Sequence, residues 1–142
     1  MIAGIASLVF IPLLAVAFAH LLWGFGGKWP MQNREMLAKT VIGFKDGSRM
    51  PPKLFTLVFG LAAFAAGIVA LSLSDPAVGI TTQIIGAVLA LLLLARGIAG
   101  YTPKWRAWRP EEPFAAMDRK YYSPLTLYLG LGFVILVVWR FV

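Results

Sequence analysis

Ionisable side chains are scarce in this 142-residue chain, and those suited to chemistry gather at one depth. His20 stands about one helical turn before the end of an apolar run, and Arg96 stands in a similar place at the end of another. An ionisable group in hydrocarbon is costly when unpaired, which makes each a candidate for function. His20 could move a proton near neutral pH, and Arg96 could pair with an acid or hold an anion. The stretch EEPFAAMDRKYYSP adds Glu111, Asp118, Arg119, Tyr121 and Tyr122 at the entrance to a further apolar run. With Trp23 and Tyr101, these residues outline a polar, aromatic-lined pocket for an anionic head group or a quinone-like ring. In it Arg96 and Arg119 would clamp the anion, the tyrosines would hydrogen-bond, and His20 would be the acid or base. Each also has a plainer reading. His20 can reach interfacial water or a neighbouring carbonyl, and Arg96 can extend to lipid phosphate. Ser123 before Pro124 reads as a helix N-cap followed by a proline at the first helical position.

Composition removes other chemistries. There is no cysteine, so disulfides, thiolate metal sites and cysteine nucleophiles are excluded. A single histidine argues against a multi-histidine metal or haem site, and no cofactor is implied. The chain has no H-E-x-x-H, Walker, G-x-S-x-G or glycine-rich cofactor signature. A net charge of +7 in a chain with 60% hydrophobic residues and a mean hydropathy of +0.81 suits an anionic lipid leaflet rather than nucleic acid.

Four apolar segments must position these residues, at about 2–25, 54–73, 77–100 and 122–142, each long enough to cross a bilayer. The expected fold is an all-α membrane protein, a single domain of four transmembrane helices in a compact bundle. The first segment has no basic residue before its apolar run, so it reads as a permanent helix rather than a signal peptide. Loop 26–53 carries six basic residues and loop 101–121 carries five, against none in the turn 74–76. By the positive-inside bias both loops are cytoplasmic and both termini lie outside. Trp23, Trp29, Tyr101, Trp105, Trp108, Tyr121 and Tyr122 form an aromatic belt on the loop side, and Trp139 and Phe141 mark the other. In the first loop, 32–40 reads as a short interfacial helix, followed by a turn around Asp46 and Gly47. The three prolines of the second loop predict extended chain until a helical turn at 114–118. Pro12 predicts a kink in the first helix.

AHLLWGFGGKW at Ala19 and ARGIAGYTPKW at Ala95 align without a gap, suggesting two tandem hairpins related by a pseudo-two-fold along the membrane normal. That alignment places His20 opposite Arg96. Small residues (Gly60, Ala63 and Gly67; Gly79, Gly86 and Ala90; Gly130) mark the faces where helices meet, and intramolecular packing is the expectation.

HLLWGFGGKWP, ARGIAGY and PEEPFAAMDRKYYSPLTLYLGLGF resemble bacterial membrane proteins of the domain-of-unknown-function family 3995. The resemblance covers nearly the whole chain and implies a small four-helix inner-membrane protein, with no activity attached. Family members often carry a cysteine after Ser-Pro-Leu where this chain has Thr126, so a thiol has no part here. The expected partners are anionic lipids of the cytoplasmic leaflet and a small hydrophobic ligand, with oligomeric and protein partners left open. The leading function is a non-enzymatic ligand- or lipid-binding or accessory bundle. The alternatives are a small enzyme acting on a lipid, isoprenoid or quinone-like substrate through His20, and an oligomeric transporter or channel subunit.

Overall fold

The computed structural model describes residues 1–45 and 47–141. Asp46, expected in a turn, and Val142, expected to end the fourth helix, lie outside those residues. The elements in chain order are α1 (Ile2–Gly24), α2 (Arg34–Val41), α3 (Lys53–Ser72), α4 (Ile80–Ala99), α5 (Pro103–Trp108), α6 (Phe114–Met117) and α7 (Ser123–Val138). A π-helical turn, Asp118–Tyr122, joins α6 to α7, and a 3₁₀ turn, Trp139–Phe141, follows. No strand occurs among the described residues. Among the described residues, α1, α3, α4 and the continuous run Phe114–Phe141 are the four helices long and apolar enough to cross a membrane.

These helices invert the pattern of a soluble protein. α1 buries Ala6, Val9, Leu13 and Ala17, at helical spacing, and turns Leu8, Ile11, Phe18 and Leu22 outward. α3 likewise buries Gly60, Ala63, Ala66, Gly67 and Ala70. Lipid offers no hydrophobic gain for helix association, so small residues that let backbones approach are placed inside and bulky ones face the solvent of the bilayer. Nearly all the small residues named from the sequence are used within the chain, as expected. Gly79 is the exception; it stands in open space as the residue before α4.

The helices pair as two hairpins, α1 with α3 and α4 with α7, and the hairpins meet through α1–α7 and α3–α4. A two-fold axis between the hairpins would exchange those two seams. The internal contacts repeat as well. A Cβ on Gly24 would strike Leu57, and one on Gly97 would strike Leu127. A Cβ on Gly60 would meet Leu21, and one on Gly130 would meet Leu94. These contacts set the register of α1 against α4 at 73 residues, three fewer than the Lys-Trp alignment gives. Trp23, not His20, therefore stands opposite Arg96. The sequence match was carried by the helix exits, and the chain leaves the two helices differently.

Three further expectations are corrected. α4 starts at Ile80 rather than 77, because the Asp75 carboxylate accepts from the Ala77 N–H and holds that segment in a turn. The second loop is not extended up to 114. Pro103 sits at the first position of α5, and Thr102 caps it by accepting from Trp105 N. Ser123 is not an N-cap, since the chain is already helical from Phe114 and its hydroxyl turns elsewhere.

At the end bearing the termini, Arg140 donates to the carbonyls of Val78 and Pro76, both at 2.7 Å. Trp139 Nε1 donates to Leu73 O at 3.3 Å. These bonds fasten the α3–α4 turn to the end of α7. Hydrogen bonds to a charged group contribute about 1.5–3 kcal/mol. Arg140→Met should therefore lower the thermal midpoint in detergent by several degrees, followed by circular dichroism. An unchanged midpoint would show that these bonds add nothing.

Candidate functional site

The polar centre forms where α4 ends and α7 begins. Asp118 is 0% exposed, at the start of the π-turn. Its Oδ1 accepts from Arg96 Nη2 at 2.7 Å and from Ser123 Oγ at 3.0 Å. Its Oδ2 accepts from Trp105 Nε1 at 2.9 Å and lies 3.6 Å from Arg106 Nη1. Ser123 Oγ in turn accepts from Arg96 Nη1 at 3.3 Å. An α-helix would turn Asp118 and Ser123, five residues apart, to different sides. The wider π-turn, with its i to i+5 spacing, stacks them on one face. Gly100 admits this arrangement, since a Cβ there would overlap Ser123 Oγ.

Two cations share this one carboxylate, so each needs other partners. Arg96 stacks over the Trp105 ring at 4.3 Å, and Arg106 Nη1 donates to Ala115 O at 2.9 Å. Burial lowers the Arg106 pKa and Asp118 opposes that shift, leaving the guanidinium cationic. Arg109 sits among aromatic rings, 4.3 Å from the centroid of Phe44, 4.9 Å from Trp105 and 4.8 Å from Trp108. It donates to Ile42 O at 2.9 Å, and burial followed by the nearby Arg96 lowers its pKa.

Around this centre the loops are sewn together. Glu111 accepts from Ser48 Oγ at 2.6 Å, and its N–H donates to Gly43 O at 3.4 Å. Tyr122 OH donates to Thr40 O at 3.1 Å, while its ring lies against Phe114. Gly43 has φ +71 and lies on the Phe114 ring, so neither its conformation nor its surroundings leave room for a side chain. α2 begins at an Asn33 cap, which accepts from Met36 N at 2.8 Å.

The nine residues named from the sequence thus divide into groups. Arg96 and Asp118 converge directly. Glu111 and Tyr122 hold the seam between the loops. Tyr101, Arg119 and Tyr121 lie on the exposed side, where Tyr101 OH donates to Arg119 O at 3.3 Å and Arg119 Nε donates to Ala115 O at 3.4 Å. His20 and Trp23 belong to the other hairpin. The carbonyl of Val16 can only accept, so His20 Nδ1, 2.8 Å away, carries a proton and donates to its own helix. The His20 ring packs on Trp23 at 4.9 Å and Phe59 at 4.6 Å. Trp23 Nε1 donates to Trp29 O at 2.7 Å. No hydrogen bond or ring contact among the described residues joins His20 to Arg96 or Asp118. Trp105, Arg106 and Ser123 were missed as partners of Asp118. The Thr102-Pro103 cap, which builds α5, was the available signal for the first two.

Beside the centre, a shallow hollow of about 280 Å³ is lined by Ala99, Thr102, Lys104, Trp105 and Trp108. The described residues hold no cluster of three or more metal-ligating side chains of the His, Cys, Asp or Glu type.

No curated protein and no solved structure matches the chain. A family model described as "Protein of unknown function (DUF3995)" matches residues 13–133, most of the chain, including α3, α4 and the Asp118 centre. The chain belongs to the DUF3995 family.

Proposed function

We propose that this protein is a non-enzymatic lipid-binding or accessory bundle of the bacterial inner membrane, engaging anionic lipid on the cytoplasmic side. The basic bias of the two long loops supports that orientation, with both termini outside. The observation that carries the reading is the state of Asp118. Its carboxylate is fully buried, with three hydrogen bonds and two guanidinium groups around it. With both oxygens engaged and no surface exposed, this carboxylate pins helices together and offers no face to a substrate. The exposed basic residues of the two loops, such as Lys28 and Lys104, are then the groups left to meet lipid phosphate.

The enzymatic alternative needs His20 as acid or base, but His20 spends Nδ1 on its own helix and, among the described residues, hydrogen-bonds to no acid. Native mass spectrometry of the purified protein tests the proposal. The expected result is retained anionic phospholipid, in excess over zwitterionic lipid supplied at equal concentration. No excess would overturn it. His20→Leu should leave that retention unchanged and cost no more than about 1 kcal/mol, the usual net worth of one hydrogen bond. Loss of retention in this variant would return His20 to the site.

A further inference from the structure

We infer that the hollow between the end of α4 and α5 seats the phosphate and glycerol region of one anionic phospholipid. This rests on the reading above and gives it a place. The lining of the hollow consists of the indoles of Trp105 and Trp108 together with Ala99, Thr102 and Lys104.

The indoles are fixed before any ligand arrives. Trp105 is held by its bond to Asp118 Oδ2 and by the Arg96 guanidinium over its ring. Trp108 meets Trp105 edge-on, with centroids 5.5 Å apart, and packs against Phe44 at 5.3 Å. A preorganised seat loses little side-chain entropy on binding. Thr102 is occupied, since its hydroxyl donates to Ala99 O and accepts from Trp105 N. The group left to meet a ligand is the ammonium of Lys104, which is exposed and has no ion-pair partner among the described residues.

Charge selects the occupant. The acids of this loop are committed elsewhere: Glu111 to Ser48, Glu112 to the N–H of Ala116, and Asp118 to its guanidinium groups. None lines the hollow, so a head-group ammonium would find no carboxylate there. Indole faces can also draw a quaternary ammonium. Here the rings already face guanidinium groups, with Arg96 and Arg109 on Trp105 and Arg109 on Trp108, and a further cation would be repelled. An anionic head group meets Lys104 without that penalty. Size narrows the choice again. At about 280 Å³ the hollow is smaller than the usual range for whole small-molecule ligands, about 300–1,000 Å³. It suits a head group whose acyl chains continue along the outside of α4, where Leu91, Leu92 and Ile98 are exposed.

The test uses the full chain in detergent micelles, with phosphatidylglycerol and phosphatidylcholine of identical acyl chains in equal amounts. Retained lipid is read by native mass spectrometry, and folding by circular dichroism. Lys104→Gln and Trp108→Leu, both at exposed positions, should each reduce phosphatidylglycerol retention by threefold or more. Lys28→Gln, which removes the same charge beside the other hairpin, should reduce it by less than half. Equal effects of Lys104→Gln and Lys28→Gln would overturn the seat while leaving anionic-lipid binding intact. Absence of any phosphatidylglycerol preference in the unmodified chain would overturn both.

Discussion

Asp118→Asn should destabilise the protein by about 3–5 kcal/mol, the cost of leaving a buried ion pair without one partner. The substitution keeps the shape of the side chain and removes its charge. Arg96, whose side chain is 29% exposed, and Arg106, at 19%, would then repel each other with no carboxylate between them. Trp105 Nε1 and Ser123 Oγ donate to different oxygens, and asparagine replaces one of these with an amide NH₂, so one of the two donors would lose its acceptor and the other would keep only a weaker, neutral one. Total stabilities are typically about 5–15 kcal/mol, so such a loss is large. A double-mutant cycle separates this clasp from a general intolerance at the position. In an Arg96→Met background, Asp118→Asn should cost about 1–3 kcal/mol less than in the native chain, the usual scale of coupling between contacting residues. Thermal unfolding of all four proteins in one detergent gives the comparison. Equal costs in the two backgrounds would mean that Arg96 and Asp118 are not energetically joined.

The second large effect is expected from a single added methyl group. Gly100 has φ −55 and ψ −20, so the backbone itself would accept alanine. Space is what forbids it, because the new Cβ would fall on Ser123 Oγ. Gly100→Ala must push α4 and α7 apart or drive the Ser123 hydroxyl away from Asp118. Overpacking of this kind costs about 1–3 kcal/mol. Stranding the buried hydroxyl adds about 1–3 kcal/mol if it finds no other partner. Gly79→Ala is the matched control, since nothing lies within 4 Å of that Cβ. It should be neutral, or stabilising by about 0.4–1 kcal/mol through the unfolded chain. If the two substitutions shift the unfolding midpoint alike, the close approach at Gly100 has no energetic meaning.

Much of the architecture was legible before any coordinates. Runs such as LFTLVFGLAAFAAGIVALSL carry no charge and admit few readings other than a bilayer-length helix. The small-residue stripes identified the inward faces, because close backbone contact is the main attraction available between helices in lipid. The site was legible only in part. Arg96 and Asp118 were both named, but nothing local to either says that a π-turn will aim Ser123 at the same oxygen. α5 was hidden by the prolines of its loop, although Pro103 falls where proline starts a helix instead of preventing one. His20 drew attention as a lone ionisable group in an apolar helix. A backbone carbonyl one turn away and two aromatic rings satisfy it, and these are partners that sequence spacing does not reveal. The two hairpins were matched through Lys28-Trp29 and Lys104-Trp105, which lie outside the helical contacts. The register of α1 against α4 is set by Gly24 and Gly97 instead.

The π-turn at Asp118–Tyr122 bears on how the last membrane-crossing run is oriented. From Phe114 to Phe141 that run is one continuous rod, yet its two ends answer to different neighbours. Toward the C-terminus, Leu129, Phe133 and Leu136 must face the shared apolar core, which fixes the rotation of the rod there. Toward the loops, Phe114 and Asp118 must face Gly43 and Arg96, which fixes a second rotation. A π-turn is equivalent to one extra residue in an α-helix, a phase slip of about 100° at 3.6 residues per turn. That slip lets both rotations hold in a single rod. The two ends can consequently accept changes independently as long as the slip is kept, whereas deleting one residue between them would put one end out of phase with its neighbours.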